Sequence, residues 1–455
     1  MTDALGLGFA TEETARQRWR TFEEPEWLLE ERLDAIRRYA ELPPETNQLF
    51  ITYLDLRAAR FGEIEPYAVT GDGPSVDTTL PDGAAALLAI EDDAAVARAL
   101  SPEARHAGVV VDTFASVLRS RSQSLQGLLE GGRTLPVNDK FAQLARATAS
   151  VGVFVHVPDG VELDEPIVLR WSVGKPGRGL VGRTVVALGR EAHATVLEEQ
   201  VAAVSSANEE HGSSGGDGRQ SLWAGTMEVV LAEGATLDVA AEQNFGPNTV
   251  SFVNRHATVQ RDATLRWAIA SVGGTLIKSR IDNLLAGRGA AVKQVEIGFG
   301  GGSQLFDLTS YTRHIATDTT GDLLSKGVFQ DRSRGYFKGL IEIQKTAKGT
   351  DSFLGEFAML LTKRARSVAI PSLEIDQPDV RRASHSSSVG PIDEAQLFYL
   401  MSRGLPRDVA RKVIVLGFLE PVVARIPLPG AQERLRALLD RKWESGTTPA
   451  AARAA

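Results

Sequence analysis

Apolar positions along the chain change their spacing twice. In EPEWLLEERLDAIRRYAELPPE, Leu29, Leu33, Ile36 and Ala40 recur at helical intervals, Pro25 suits a first turn, and Pro43 and Pro44 stop the run. From Ala85 to Ala149 the stretches AAVARALSPEARHA, TFASVLRSRSQSLQGLLEGG and KFAQLARATAS keep a helical texture around one short apolar run, Gly108 to Val111. The pattern predicts a helix-dominated mixed domain over residues 1–150.

At Val151 the period changes. VGVFVHVPDGVELDEPIVLRWSV brings short β-branched runs separated by Pro–Asp–Gly turn chemistry, and strand-like text continues to about Ile375. A small-residue turn followed by a β-type triplet returns as HATVLEE, GATLDVAAE, DATLRWAIA and AAVKQVEIG, near His193, Gly234, Asp262 and Gly289. The later intervals are about 27 residues, a solenoid period. With no long helix between repeats, rungs of a parallel β-helix explain them better than a sheet with helical crossovers. A β-sandwich is the competing architecture on periodicity alone. Residues Ala207 to Arg219, polar and Gly/Ser-rich, are expected to form a mobile loop on one rung.

Helical spacing resumes after Gly390. Asp393 and Gln396 have the spacing of a capping box for DEAQLFYLMSR, and Gly404 marks its end. Pro406 opens a second helix through DVARKVIVLGFL, which Pro421 is expected to follow; AQERLRALLDRKW is the third, ahead of a disordered tail. The expected fold is therefore mainly β: a parallel β-helix core over 151–390 flanked by N-terminal and C-terminal helical domains, the latter over 391–455.

Composition narrows the function. The chain has 455 residues, 43% apolar and 24% charged, with a formal net charge of −8, which disfavours broad phosphate-backbone contact and predicts no nucleic-acid partner. Without any cysteine it forms no disulfide, thiolate metal site or cysteine-ligated cluster. The N-terminal text lacks a signal-peptide layout and no apolar run approaches the roughly 20 residues of a membrane span. The expectation is a cytoplasmic protein with no membrane partner.

Chemistry-bearing motifs are few. Gly177 to Gly182 matches GxGxxG but leads into the strand-like RTVVALG, so a tight turn between rungs is expected in place of a nucleotide site. GFGGGS, Gly298 to Ser303, has no Lys-Ser/Thr and no following helix; close approach of rungs explains it. A carbohydrate-active β-helix enzyme is the alternative reading, with Glu198/Glu199 or Glu209/Glu210 as glycosidase acid and base, but adjacent residues of a strand point to opposite faces, a poor dyad, and solvated faces are expected for them. No GxSxG elbow occurs, and the seven histidines are dispersed. His385 stands out because its segment, RRASHSSSVGPIDEAQLFYLMSRG, is a polar stretch between the last strand-like run and the C-terminal helices, where an imidazole can reach a partner.

Three segments, EPEWLLEERLDAIRRY, DKFAQLARATASVGVFVHVPDGVELDEPIVL and PSLEIDQPDVRRASHSSSVGPIDEAQLFYLMSRGLPRDVARKVIVLGF, together resemble the SufB/SufD family of the SUF iron–sulfur cluster assembly system. The resemblance implies a right-handed parallel β-helix between helical domains. It further implies a non-catalytic scaffold that pairs with a SufB-like protein through the β-helix, or with itself as a homodimer, and binds the ABC-type ATPase SufC through its C-terminal helices. No cofactor is implied for this chain alone, only a transient iron–sulfur cluster in the complex. SufB-type members carry a cysteine in the late β-helix; here GEFAMLLTKRARS stands in that place, with Glu356 near the cysteine position, which points to the SufD side. His385, in SHSSSVG, occupies the place of the family's SHGAT histidine and is the implied interface residue and metal ligand. Phe398, Tyr399, Arg403 and Gly404 match the segment implied to dock SufC.

Overall fold

The computed structural model describes residues 5–67, 79–129, 134–203, 218–426 and 428–447. The loop expected over Ala207–Arg219 falls largely outside the described residues, as do Glu209, Glu210, His211 and the tail beyond residue 447.

The small-residue turns read in the sequence are the corners of a coil. Gly160, Glu191, Gly234, Asp262, Gly289, Asp318 and Gly349 all have positive φ. Each donates its N–H to a carbonyl of the next coil at 2.8–3.0 Å. Glycine adopts this conformation freely, and acidic residues occupy it here in strict alternation with glycine. Packing explains the alternation: a Cβ on Gly289 would stand 2.3 Å from Oδ1 of Asp262, and one on Gly349 would stand 2.8 Å from Oδ1 of Asp318. The carboxylate of one coil fills the space that glycine leaves empty in the next.

Between corners the chain runs in strands that alternate between two parallel sheets. Leu276–Leu285, Leu305–His314 and Arg334–Ile343 are neighbours in one sheet, and Ala291–Gly300, Thr320–Phe329 and Asp351–Leu360 are neighbours in the other. His193, Thr236, Thr264 and Ala291 stand in register, so the repeated segments are successive rungs. The result is a parallel β-helix of about eight turns. Parallel pairing throughout these rungs sets aside the sandwich. Strand text also continues past Ile375: Arg382–Gly390 is the final strand, so His385 stands on a rung and not in a connecting segment. The GxGxxG residues enter the strand Arg178–Leu188, and Gly298 to Gly300 end another, as expected of rungs.

Inside the coil, aromatic rings pack against one another at tilted angles. Trp171 and Trp223 lie 4.8 Å apart, and Phe329 lies 5.9 Å from Phe306 and 6.1 Å from Phe337. Several buried polar groups are paired: Arg255 Nη2 donates to Glu198 at 2.6 Å, Trp267 Nε1 to Asn283 at 3.0 Å, and Gln294 Nε2 to Ser310 at 3.0 Å. Glu198 and Glu199 do take opposite faces, but neither is solvated. Glu198 is inside with Arg255, and Glu199 is held on the outer face by Arg170 and Arg434, both carboxylates being about 2% exposed.

The N-terminal 150 residues cap one end and cover one sheet. AAVARAL is a strand, not a helix: Ala94–Leu100 pairs antiparallel with Ala86–Glu91, which itself extends the second sheet beside Ile167–Val173. The sheet edge available to it outweighs the helical propensity of its alanines. The helix Lys140–Thr148 is buried along its length against the first sheet. Its cap, Asp139, accepts from Ala142 N–H at 2.8 Å and also from Asn254 Nδ2 (2.7 Å) and Arg280 Nη1 (2.9 Å) of the solenoid. Nearby, Asp307 accepts from Lys338 at 2.8 Å and Lys278 at 3.4 Å. Burial alone would push Asp307 up, but the two ammonium groups hold its carboxyl below the ordinary range.

The second sheet is covered by apolar contact. Val415, Leu419 and Val422 of the helix Arg407–Val423, with Leu435, Leu439 and Trp443 of Pro429–Thr447, pack on Ala240, Ala268, Val295 and Ile297. Pro421 lies inside the last turn of the first of these helices and does not follow it. So near the C-terminal end it forgoes one intrahelical bond without breaking the axis.

The corner column predicts a graded response to added methyl groups. Gly289→Ala suffers both the left-handed backbone and the Asp262 contact, whereas Gly302, at φ +56 with open space around it, suffers only the backbone term. Denaturant unfolding should show Gly302→Ala costing about 1–2 kcal/mol and Gly289→Ala clearly more.

Candidate functional site

One end of the solenoid is unfinished. Among the described residues the last two strands, Arg366–Ile375 and Arg382–Gly390, each pair on one side only, with Arg334–Ile343 and Asp351–Leu360 respectively. Most of their residues are partly or fully exposed, in contrast to the buried rungs before them. Such edges present unpaired N–H and C=O groups ready to accept another strand. Charge along the first edge is sorted: Lys363, Arg364 and Arg366 are exposed at its start, Glu374 and Asp376 at its end. None of these five makes an ion pair among the described residues. The TKRAR run facing LEID carried this signal in the sequence, but only the strand boundaries give it meaning.

His385 and Glu356 lie near this end on neighbouring strands. His385 is in register with Leu354 and Glu356 with Ser387, so the two share a face two residues apart. Their environments differ sharply. His385 is exposed, while Glu356 is 1% exposed and its Oε2 has no hydrogen-bond partner among the described residues. Burial pushes the Glu356 carboxyl up to about 8, with the backbone N–H of Ile370 working weakly in the other direction. At neutral pH it is a protonated acid and a poor metal ligand. Among the described residues no three His, Asp or Glu side chains converge as a metal site.

The C-terminal helices present a second surface. Asp393 caps the helix Glu394–Ser402 through the N–H of Ala395 at 2.8 Å, and Gly404, at φ +92, ends it. Leu397 faces the core, but Phe398 is 72% exposed and Tyr399 56% exposed, so both rings stand outside the helical core. Arg403, the C-cap residue, lies over the Tyr399 ring at 5.2 Å. Val409 and Val413 of the next helix, which were not singled out in the sequence, are also exposed. Helical spacing alone does not separate such outward valines from inward ones.

No helix among the described residues is long and apolar enough to cross a membrane. Residues 171–418 match the family described as SUF system FeS cluster assembly, SufBD core domain. The chain is similar to the iron-sulfur cluster assembly protein SufD of Bacillus subtilis (strain 168), 26% identical over 433 residues, which cover 92% of this chain and 95% of that one. It is 24% identical to SufB of the same organism over 446 residues, covering 94% and 91%. It is also 26% identical over 440 residues to an iron-sulfur cluster assembly SufBD family protein of Staphylococcus haemolyticus, again covering 94% and 91%. A coil of these rungs, open at one end and matched over more than half its length by that family, makes the chain a member of the SufB/SufD family of the SUF iron–sulfur cluster assembly system.

Proposed function

We propose that the chain is a SufD-type, non-catalytic scaffold subunit of a SUF complex. It pairs with a SufB-like partner through the open end of the solenoid and recruits the SufC ATPase through the surface of Phe398, Tyr399, Arg403 and Gly404. The unfinished last coil carries this proposal, because it leaves two strand edges without an intramolecular partner among the described residues. An edge strand of the same polarity added antiparallel would set Lys363, Arg364 and Arg366 against an acidic end. Parallel addition would set cations against cations. The same sorting makes the edge complementary to a second copy, so a homodimeric scaffold is the alternative.

In this scheme the iron–sulfur cluster is cargo, formed transiently in the complex and not held by this chain alone. With no cysteine in the chain, sulfur ligands come from the SufB-like partner, and exposed His385 is the group able to offer a neutral imidazole across the interface. Glu356 contributes only once it loses its proton. ATP hydrolysis belongs to SufC, and the complex works in the cytoplasm. Co-expression with SufB-like and SufC-like proteins of the same source, followed by size exclusion with light scattering, tests the assembly. A stable complex of all three is expected; a chain that stays monomeric in their presence overturns the proposal.

Charge reversal at the edge, Lys363→Glu with Arg364→Glu, should weaken pairing about tenfold at low salt and less at high salt, without changing Tm. Titration by interferometry at two ionic strengths reads this directly.

Docking would bury the Phe398 ring, worth about 1.5–3 kcal/mol. Phe398→Ala and Arg403→Glu should each reduce SufC capture about tenfold or more while scaffold pairing persists. If Arg403→Glu loses both partners and lowers Tm, the residue is structural.

Glu356 has a folded pKa near 8, above its unfolded value, so the unfolded state releases its proton first as pH rises. The buried acid therefore lowers stability progressively from about pH 4.5 to 8. Glu356→Gln should raise Tm by about 2–4 °C at pH 8 and by less at pH 5. Calorimetry at the two pH values checks the sign.

A further inference from the structure

The end of the solenoid opposite the open coil has a different character. There each sheet finishes on a short antiparallel strand, Ala94–Leu100 in one and Val110–Thr113 in the other, and each is paired on one side only among the described residues. Between these strands and the helix Phe114–Leu129 lies a groove of about 420 Å³, with Arg98, Arg105, Asp112, Ser120 and Arg121 among its lining residues. The helix departs from helical φ/ψ at Arg121, so it bends beside the groove.

The charge in this groove is unbalanced. Arg98 and Asp112 form an ion pair at 2.5 Å that ties the two edge strands together. The Asp112 carboxylate is also taken by Ser116 Oγ and by the N–H of Thr113, each at 2.8 Å, which leaves it little capacity for a further cation. Arg105 and Arg121 are exposed and have no carboxylate partner among the described residues. A chain with a net charge of −8 thus concentrates free positive charge where it also leaves strand edges unpaired. Val96, 41% exposed, lies outside the groove lining, bulged out of register on the longer edge strand, and gives the edge an apolar side chain beyond Arg98.

We propose that this groove docks an acidic, extended segment of a partner polypeptide, which adds as a strand to the free edge of Ala94–Leu100. Main-chain groups of the edge supply the pairing, Val96 accepts an apolar side chain, and Arg105 and Arg121 select carboxylates. Arginine on an edge strand also repels unwanted basic strands, so the two roles differ only in whether an acidic strand actually binds. The proposal is independent of the SUF assignment, because it uses neither the strands of the open coil nor Phe398, Tyr399, Arg403 and Gly404.

The test uses the full chain with two fluorescein-labelled ten-residue peptides, one alternating Glu and Val, the other alternating Lys and Val. Anisotropy should show binding of the acidic peptide alone, weakening as salt rises, and amide exchange should slow over Ala94–Leu100. Arg105→Glu with Arg121→Glu should lower its affinity at least about tenfold at unchanged Tm, while Arg105→Lys with Arg121→Lys should retain most of it. Equal binding of both peptides, undiminished binding by the Glu variant, or binding without amide protection overturns the proposal. Displacement of the acidic peptide by inorganic phosphate at equal concentration overturns it too, by marking a small-anion site.

Discussion

Hydrogen bonding between coils in strict register is the constraint on which the rest of the molecule depends. Each rung satisfies its backbone only through the rung before and the rung after, so equivalent residues stack into columns along the axis. The corner column from Gly160 to Gly349 takes positive φ in every coil, interior positions bring aromatic rings together, and each column lacks one neighbour at its ends. The surfaces proposed for partners collect where the columns stop. The late end offers polar edges with sorted charge, and the early end offers short antiparallel strands flanked by arginines.

The two outer faces solve the problem of attachment differently. The first sheet meets the N-terminal helices through apolar packing, Phe141 on Phe252 at 4.2 Å, and in addition through buried ions, with Asp139 serving at once as a helix cap and as the acceptor for Asn254 and Arg280. Such pairs are costly to desolvate and stabilise little on balance, but they fix orientation, because any shift strands a charge. The second sheet meets the C-terminal helices through small alanines against Leu, Val and Trp. That contact is less demanding in register, and a few outward residues on the same helices stay available for a partner.

Much of the fold was legible because a solenoid writes its period directly into the sequence. The turns at Gly234, Asp262 and Gly289 announced the corners, and the three C-terminal helices announced themselves by spacing and stops. The strand Ala94–Leu100 was not legible, since Ala, Arg and Leu favour helices and only the neighbouring strand makes them extended. Of the candidate site, the resemblance supplied His385 and Glu356, but nothing local told that one is exposed and the other buried and protonated. Glu198 and Glu199 misled for the same reason: their partners, Arg255 and Arg434, lie 57 and 235 residues away.

The alternation of acid and glycine at the corners also bears on how such a molecule changes length over evolutionary time. Along the single column that runs from Gly160 through Glu191, Gly234, Asp262, Gly289 and Asp318 to Gly349, every corner differs in kind from its two neighbours. Duplicating or deleting a single coil would bring two carboxylates, or two empty glycine sites, into consecutive layers. Inserting or removing coils in pairs preserves the sequence of filled and empty corners. The parity of the corner column therefore makes two coils, not one, the unit in which this solenoid can grow or shrink without repair elsewhere.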